Sequence, residues 1–438
     1  MKTIGFYRNR NFIFIILVLA GLIIRIITVL KAPLTLVGDE VAYYQIAKKF
    51  LSQGDLLNSS GLPTAYRPPL YFLFLSGVFS LTHDSIMTAK IVQAFLSIWI
   101  VLVTYKISQR LLGEKTAEVS LLAGMFYLPF ILAPTRLYSE VVFSSFLTTA
   151  FFYFTKLYEK PAVPDAIKAG IFMGLSALTR ATALVMVPLF LMTLSWEHWF
   201  KNRFFSFQRL MGILGVFVVA FVVTLSPWIA RNYHVFRTVK YSTETGMALY
   251  TSYFPEGGKI FSKIPREDPV IKEGFLIGSE LEREQFLIKK TFEKLRHSPG
   301  KILQLLPLKL VSLWSPFHWE LYHKTVYDWS YVFLFPFFLT GLVRLRRYPK
   351  ALVVLSIPMV TVLLITVVFY GSSRIRFPIE PFFVIIASYS LCEVLHRRLL
   401  KMNVGILCWL GINLWASCHL IEVKSWLRNI ATGMGIWS

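Results

Sequence analysis

Apolar runs of roughly twenty residues recur along the whole chain, at 12–30, 86–106, 117–134, 139–157, 167–179, 181–196, 210–228, 328–343, 351–370, 376–395 and 403–421. A run of that length crosses the ~30 Å hydrocarbon core as a helix, the form that satisfies its backbone polar groups without water. Eleven such runs predict an all-α polytopic bundle of about 11 transmembrane helices, although several are short and the pair flanking Arg180 reads as a tight hairpin. Composition agrees: 55% of residues are hydrophobic and 16% charged, against about a quarter charged in soluble domains. The 438 residues therefore read as one membrane bundle rather than two or three soluble domains.

The formal charge of +22, from 46 Lys and Arg against 24 Asp and Glu, would suggest nucleic acid in a soluble protein. Here the basic residues cluster in short loops between alternate spans, in "YKISQRLLGEK", "TKLYEKPAVPDAIK", "HWFKNRFFSFQR", "RLRRYPK" and "HRRLLK". That is the cytoplasmic signature of a membrane protein, and no nucleic-acid module appears. It puts the N-terminus in the cytoplasm, with the first run an uncleaved span, because the run continues past Arg25 without a small-residue cleavage site. The alternation holds if the segments 69–82 and 302–314 lie in the outer interface. Two large outer loops then remain, 31–85 and 229–327, the second carrying a helix with an apolar stripe of Leu281, Phe286, Leu287, Phe292 and Leu295. Cys392, Cys408 and Cys418 all lie in the last apolar stretches and form neither a disulfide framework nor a metal knuckle. His318 and His323 do not form a metalloprotease pattern.

With that topology, the charges left at the outer ends of spans are Asp39 and Glu40 after the first run, Arg67 in "YRPPLY", Arg136 and Glu140 in "TRLYSE", Arg180, Arg231 in "SPWIARNY", and Arg374 and Arg376 in "SSRIRF". An ionisable group at membrane depth costs about 2.5 to 3.5 kcal/mol on insertion scales, so it is expected to have a partner or a water-filled cavity. For Asp39 the alternative is a helix N-cap on the amphipathic stretch Val41 to Leu51, a role compatible with chemistry. The "RPP" after Tyr66 presets an extended chain and a sharp turn into a helix.

An outer "DE" after the first span, "YRPPLY", "GLSALTRATALVMVPL", "SPWIARNY" and "SSRIRFPIEPFF" occur in order and at matching membrane positions. Together they resemble the GT-C glycosyltransferases of family 39, the superfamily of protein O-mannosyltransferases and lipid A aminoarabinose transferases. The resemblance spans roughly residues 12–395, giving a GT-C module at 1–395 and a last helix and tail at 396–438. It implies an enzyme that moves a sugar from a polyprenyl-phosphate donor to an acceptor outside the cytoplasm: a protein, lipid A, another glycolipid or a wall glycan. It also implies that Asp39 is the catalytic acid, with Glu40 and Glu140 belonging to the same site. Where aminoarabinose transferases carry an acidic metal-binding residue before the Arg/Lys-Pro motif, this chain has Tyr66.

The chemistry of the residues agrees with that assignment. A departing phosphate needs cations aimed at its growing charge, and Arg67, Arg231, Arg374 and Arg376 are the candidates, guanidinium groups binding phosphate in bidentate fashion. The attacking hydroxyl needs a base, expected in Asp39, and single displacement would then invert the anomeric carbon. A divalent cation bridging Asp39 or Glu40, Glu140 and the lipid phosphate is a further expectation, by analogy with oxygen-ligand sites. Tyr66 and Arg180 complete the candidate set. The rivals are a transporter or flippase of a lipid-linked glycan, which usually binds near mid-membrane with repeated halves, and a lipid-linked glycan polymerase or ligase. Without an evident appended soluble domain, the sequence reads as a prokaryotic plasma-membrane protein.

Overall fold

The computed structural model describes residues 2–201, 206–254, 267–321, 324–397, 403–419 and 429. The chain is helical almost throughout. The bundle is built from α1 (Lys2–Lys31), α4 (Ile86–Leu112), α5 (Glu114–Phe126), α6 (Leu128–Leu132), α7 (Glu140–Glu159), α8 (Val163–Thr179), α9 (Thr182–Ser195) and α10 (Phe207–Phe236), and later by α15 (Trp329–Arg344), α16 (Pro349–Val368), α17 (Ser373–Arg376), α18 (Glu380–Arg397) and α19 (Asn403–Cys418). Shorter α2 (Asp39–Gln53) and α3 (Leu70–Thr82) fill the first loop. The second loop holds α11 (Thr245–Thr251), α12 (Pro269–Leu276), α13 (Glu280–His297), α14 (Gly300–Leu313) and an antiparallel hairpin of β1 (Phe317–Leu321) and β2 (Lys324–Tyr327).

The chain is a multi-pass membrane protein. Among the described residues six helices are long and apolar enough to cross a membrane, or seven if α5 and the following segment to Thr135, bent by 49°, form one span. Every apolar run is helical where described, yet α8, α9, α15 and α19 have 14 to 17 residues. At 1.5 Å per residue these are about 21 to 26 Å long, and α9 runs on without a break into a π-helical turn, Trp196–Lys201; spans of such length are accommodated by local thinning of the bilayer. The residues 69–82 and 302–314 form the short apolar helices α3 and α14, as expected for segments that do not cross.

The bend after α5 has a physical cause. Pro129 has no N–H, so Met125 O loses its helical donor. Arg25, fully buried in α1, takes over: Nη1 donates to Met125 O at 3.0 Å and Nη2 to Gly124 O at 3.1 Å, while Leu128 N donates to Ser330 Oγ at 2.9 Å. A buried arginine thus satisfies a broken helix rather than an acid.

The loop helices form a second, smaller core of Met247, Tyr250, Tyr253, Phe254, Ile271, Leu287 and Leu305. Helix α13 falls where the stripe predicts, with Ser279 capping it, but Phe292 is more than half exposed and the buried line is Glu284, Leu287 and Thr291. Glu280 fixes this layer to the first loop, accepting from Thr64 Oγ1 at 2.6 Å, Ala65 N at 3.0 Å and Thr243 Oγ1 at 3.1 Å. Residues 64–66 and 242–244 are therefore held side by side, with Thr243 N donating to Ala65 O.

Candidate active site

Asp39 opens α2, but it does not cap it. Gly38 occupies the N-cap position at φ 58°, a conformation open to glycine, and no side chain caps the helix. That turn frees the Asp39 carboxylate to face the bundle. Its Oδ1 accepts from Arg67 Nη2 at 3.1 Å and its Oδ2 from Arg374 Nη1 at 2.6 Å. Glu40, next in sequence, points elsewhere: its carboxylate accepts Leu137 N at 2.8 Å and Val37 N at 3.2 Å, with Arg136 Nε 3.4 Å away. It is a buried brace between the start of α2 and the segment before α7.

Glu140, the first residue of α7, is fully buried and its Oε1 accepts from both Arg374 Nε at 2.5 Å and Arg180 Nη1 at 2.7 Å. Arg180 lies between α8 and α9, where its guanidinium also reaches Ser139 Oγ at 3.1 Å. Arg374 is delivered by the short α17, whose start is capped by Ser372. The preceding Gly371 is pressed against α14 so closely that a Cβ there would lie 2.0 Å from Lys309 O. Arg67, set by the two prolines after it, bridges Asp39 and a residue missed in the sequence: its Nε donates to Glu244 Oε1 at 3.1 Å.

Six segments of the chain thus bring together an alternating set, Glu244, Arg67, Asp39, Arg374, Glu140 and Arg180. Aromatic rings pack around it: Arg67 lies 4.9 Å over Tyr43 and 5.7 Å over Tyr66, and Arg374 lies 4.0 Å over Tyr138. The phenol of Tyr370 is raised by burial and by Glu244 against the opposing charges of Arg374, Arg180 and Arg67. Burial pushes the Asp39 carboxyl up, but Arg67 and Arg374 outweigh burial and hold it below the ordinary carboxylate range. Among the described residues, Arg67 Nη1, Arg374 Nη2 and Arg180 Nη2 donate to no protein acceptor, and none of them is buried. Carboxylates fix the orientation of the guanidinium groups, and each group keeps an unburied N–H donor free. This is the chemistry of an anion site.

Two predicted arginines are not in this set. Arg231 is committed to Asp55 (Nη2 to Oδ1, 2.8 Å) and to the carbonyls of Thr64 and Leu56, so it anchors the end of α10 to the first loop. Arg376 is fully buried, pairing with Glu380 at 2.6 Å and donating to the carbonyls of Leu313 and Ser315. The i, i+4 spacing of Arg376 and Glu380 on one helical segment was a readable sign that this arginine has a local partner. We expect Arg376→Ala to destabilise the protein by about 3 to 5 kcal/mol, by leaving Glu380 buried without a counter-charge. Thermal unfolding in detergent reads this, and an Arg376→Ala variant that melts like the parent would contradict it.

The donor set does not fit a divalent cation. Both oxygens of Asp39 face guanidinium groups, Glu40 turns away, and Glu140 keeps a single unpartnered atom, the buried Oε2. Among the described residues no three His, Cys, Asp or Glu side chains converge on a metal position. The metal role expected for Glu40 and Glu140 is therefore not supported by their geometry.

A family model described as dolichyl-phosphate-mannose-protein mannosyltransferase matches residues 66–228, less than half of the chain. No curated protein matches the sequence. The oligosaccharyltransferase of Archaeoglobus fulgidus, solved with Zn and sulfate, is similar over 92% of this chain at 14% identity and a TM-score of 0.56, and its apo form at 14% identity and 0.55. This chain covers only 51% and 54% of those two structures, so it spans about half the length of the protein it matches. ArnT from Cupriavidus metallidurans aligns over 88% of this chain and 77% of its own at 12% identity, with a TM-score of 0.46. At these identities the likeness is one of fold, an all-α polytopic bundle of the GT-C type. The resemblance drawn from the sequence motifs is borne out to that extent.

Proposed function

We propose that this chain is a membrane glycosyltransferase that takes a sugar from a polyprenyl-phosphate donor and transfers it to a hydroxyl or amine of an acceptor outside the cytoplasm. One observation carries the reading: three guanidinium groups, oriented by Asp39 and Glu140, keep unburied N–H donors free at one end of the bundle. The family match, described in terms of a dolichyl-phosphate-linked sugar, supports the same donor class.

In this reading Arg67, Arg374 and Arg180 receive the donor phosphate and stabilise the charge that grows as the sugar–phosphate bond breaks. Removing one such donor in related electrostatic sites typically costs about 10² to 10³ in turnover. Asp39 accepts the proton of the attacking group, each of its oxygens retaining a second lone pair beside the guanidinium bond. Glu140 is fully buried behind Arg374 and so is not the exposed nucleophile that a retaining mechanism would need. Single displacement with inversion follows, and anomeric analysis of the product is its direct check.

The basic loops support a cytoplasmic N-terminus and an extracytoplasmic site. The polar pairs at the far end of the bundle, Arg10 with Glu118 and Arg347 with Glu393, are of the ordinary surface kind. Charges gathered at one end, not at mid-membrane, favour surface chemistry over transport.

The test is release of free lipid phosphate by purified protein from a panel of polyprenyl-phosphate sugars, with and without excess chelator. Turnover of at least one donor is expected, unchanged by chelator because the carboxylates are already paired with arginine. No turnover of any donor would remove the function, and loss of turnover in chelator would restore a metal to the site.

A further inference from the structure

We propose that Glu244 is the sugar-recognition residue of this site, its free Oε2 accepting hydrogen bonds from hydroxyl or amino groups of a sugar that carries no negative charge. The inference rests on the donor reading above and goes beyond it by naming the residue that tells a lipid-linked sugar from the bare lipid phosphate.

The geometry around Arg67 leads to it. Asp39 and Glu244 take Nη2 and Nε of the same guanidinium, each at 3.1 Å, which leaves Nη1 for the donor phosphate. Glu244 therefore holds the Nε side of Arg67, across the guanidinium from Nη1, and has like charge to the phosphate, so the part of the donor it can accept from is the uncharged one. Of the carboxylates in the cluster, Glu140 is fully buried, and Asp39 has a guanidinium on each oxygen and its remaining lone pairs given to the attacking group. Glu244 is 35% exposed, with Oε1 on Arg67 and Oε2 donated to by no described residue.

Glu244 is the leading charge felt by the phenols of both Tyr66 and Tyr370. Its backbone is fixed rather than loose: Glu244 N donates to Ser242 Oγ, and Ser242 Oγ in turn to Tyr66 O at 2.7 Å. The next turn is locked because Gly246 lies against α13, where a Cβ would be 2.5 Å from Glu284 O. A fixed carboxylate with one committed and one free oxygen can discriminate hydroxyl positions strongly, since a sugar lacking the matching group leaves a partly buried acceptor unpaired. An anionic sugar would be repelled.

The experiment measures binding of a short-chain polyprenyl phosphate and of its neutral hexosyl and pentosyl conjugates to the full chain in detergent, for wild type, Glu244→Gln and Glu244→Asp. The wild type should hold at least one conjugate more tightly than the bare lipid phosphate. Glu244→Gln should lose roughly tenfold to a hundredfold on that conjugate, the range of a charge-assisted hydrogen bond, while holding the bare lipid phosphate as tightly or more tightly because a negative charge that competes for Arg67 is gone, with Glu244→Asp recovering part of the loss on the conjugate. Equal loss on both ligands would reduce Glu244 to a prop for Arg67 and overturn the proposal. So would unchanged binding of the conjugate, or a wild type that binds bare lipid phosphate but prefers no conjugate. A wild type that binds none of the ligands would instead overturn the donor reading.

Discussion

Asp39→Asn lowers turnover by about 10² or more while polyprenyl-phosphate binding stays the same or tightens; this is the expected result with the clearest mechanistic signature. The size follows from the role, because a positioned base contributes roughly 10² to 10⁴. Held below the ordinary carboxylate range by Arg67 and Arg374, Asp39 is a weak base, which places its contribution toward the lower end. The sign on binding follows from charge. Asn removes a negative group that two guanidinium groups now share with the incoming phosphate. The measurement is lipid-phosphate release against binding of the sugar-free lipid phosphate, and equal turnover by the two proteins would remove Asp39 from the chemistry.

The pH dependence has a sign as well. A carboxylate whose folded-state value is depressed contributes stability that is fully present above its unfolded value, near 4, and is lost as pH falls through the folded value. Asp39 therefore stays charged across the range from about pH 5 upward, and the rate should show no acidic limb from it there. A limb near pH 5 that disappears in Asp39→Asn would contradict this electrostatic picture.

The sequence made some of this readable and hid the rest for identifiable reasons. Hydropathy located the helices, since a lipid-facing helix must be apolar along its length. It does not report where a helix stops: Arg180 ends α8 after 17 residues, and Pro129 breaks α5 from α6. Topology counting brought Asp39, Arg67, Glu140, Arg180 and Arg374 to one end of the bundle, and they do meet. The same counting could not separate Arg231 and Arg376 from them. All five arginines sit near span ends, and what distinguishes the two is a partner, Asp55 brought by tertiary structure in one case and Glu380 one helical turn away in the other. Glu244 lay among several acids of a long polar loop, with no local pattern to mark it. Its role emerges only when Glu280 clamps residues 64–65 against Thr243.

Arg374→Ala should have the largest combined effect, on turnover and on folding together. Arg374 is the one group that joins the two carboxylates, donating Nη1 to Asp39 and Nε to Glu140. Without it Glu140, fully buried, keeps only Arg180 as a counter-charge, and its Oε2 already lacks a partner. Breaking such a buried pair costs about 3 to 5 kcal/mol; the surviving Arg180 contact makes the low end the expectation. Turnover should fall by about 10³ or more, because an electrostatic donor is lost and Asp39 loses one of its two orienting bonds. A double variant separates the two effects. Adding Glu140→Gln to Arg374→Ala removes the stranded charge, so stability should recover most of the deficit while turnover stays lost. The coupling between the two changes, read from thermal unfolding, should then be favourable and well above the few tenths of a kcal/mol typical of independent sites. Additive losses would mean that Arg374 and Glu140 do not act as a unit, and recovery of turnover with stability would mean that Arg374 serves the fold rather than the phosphate.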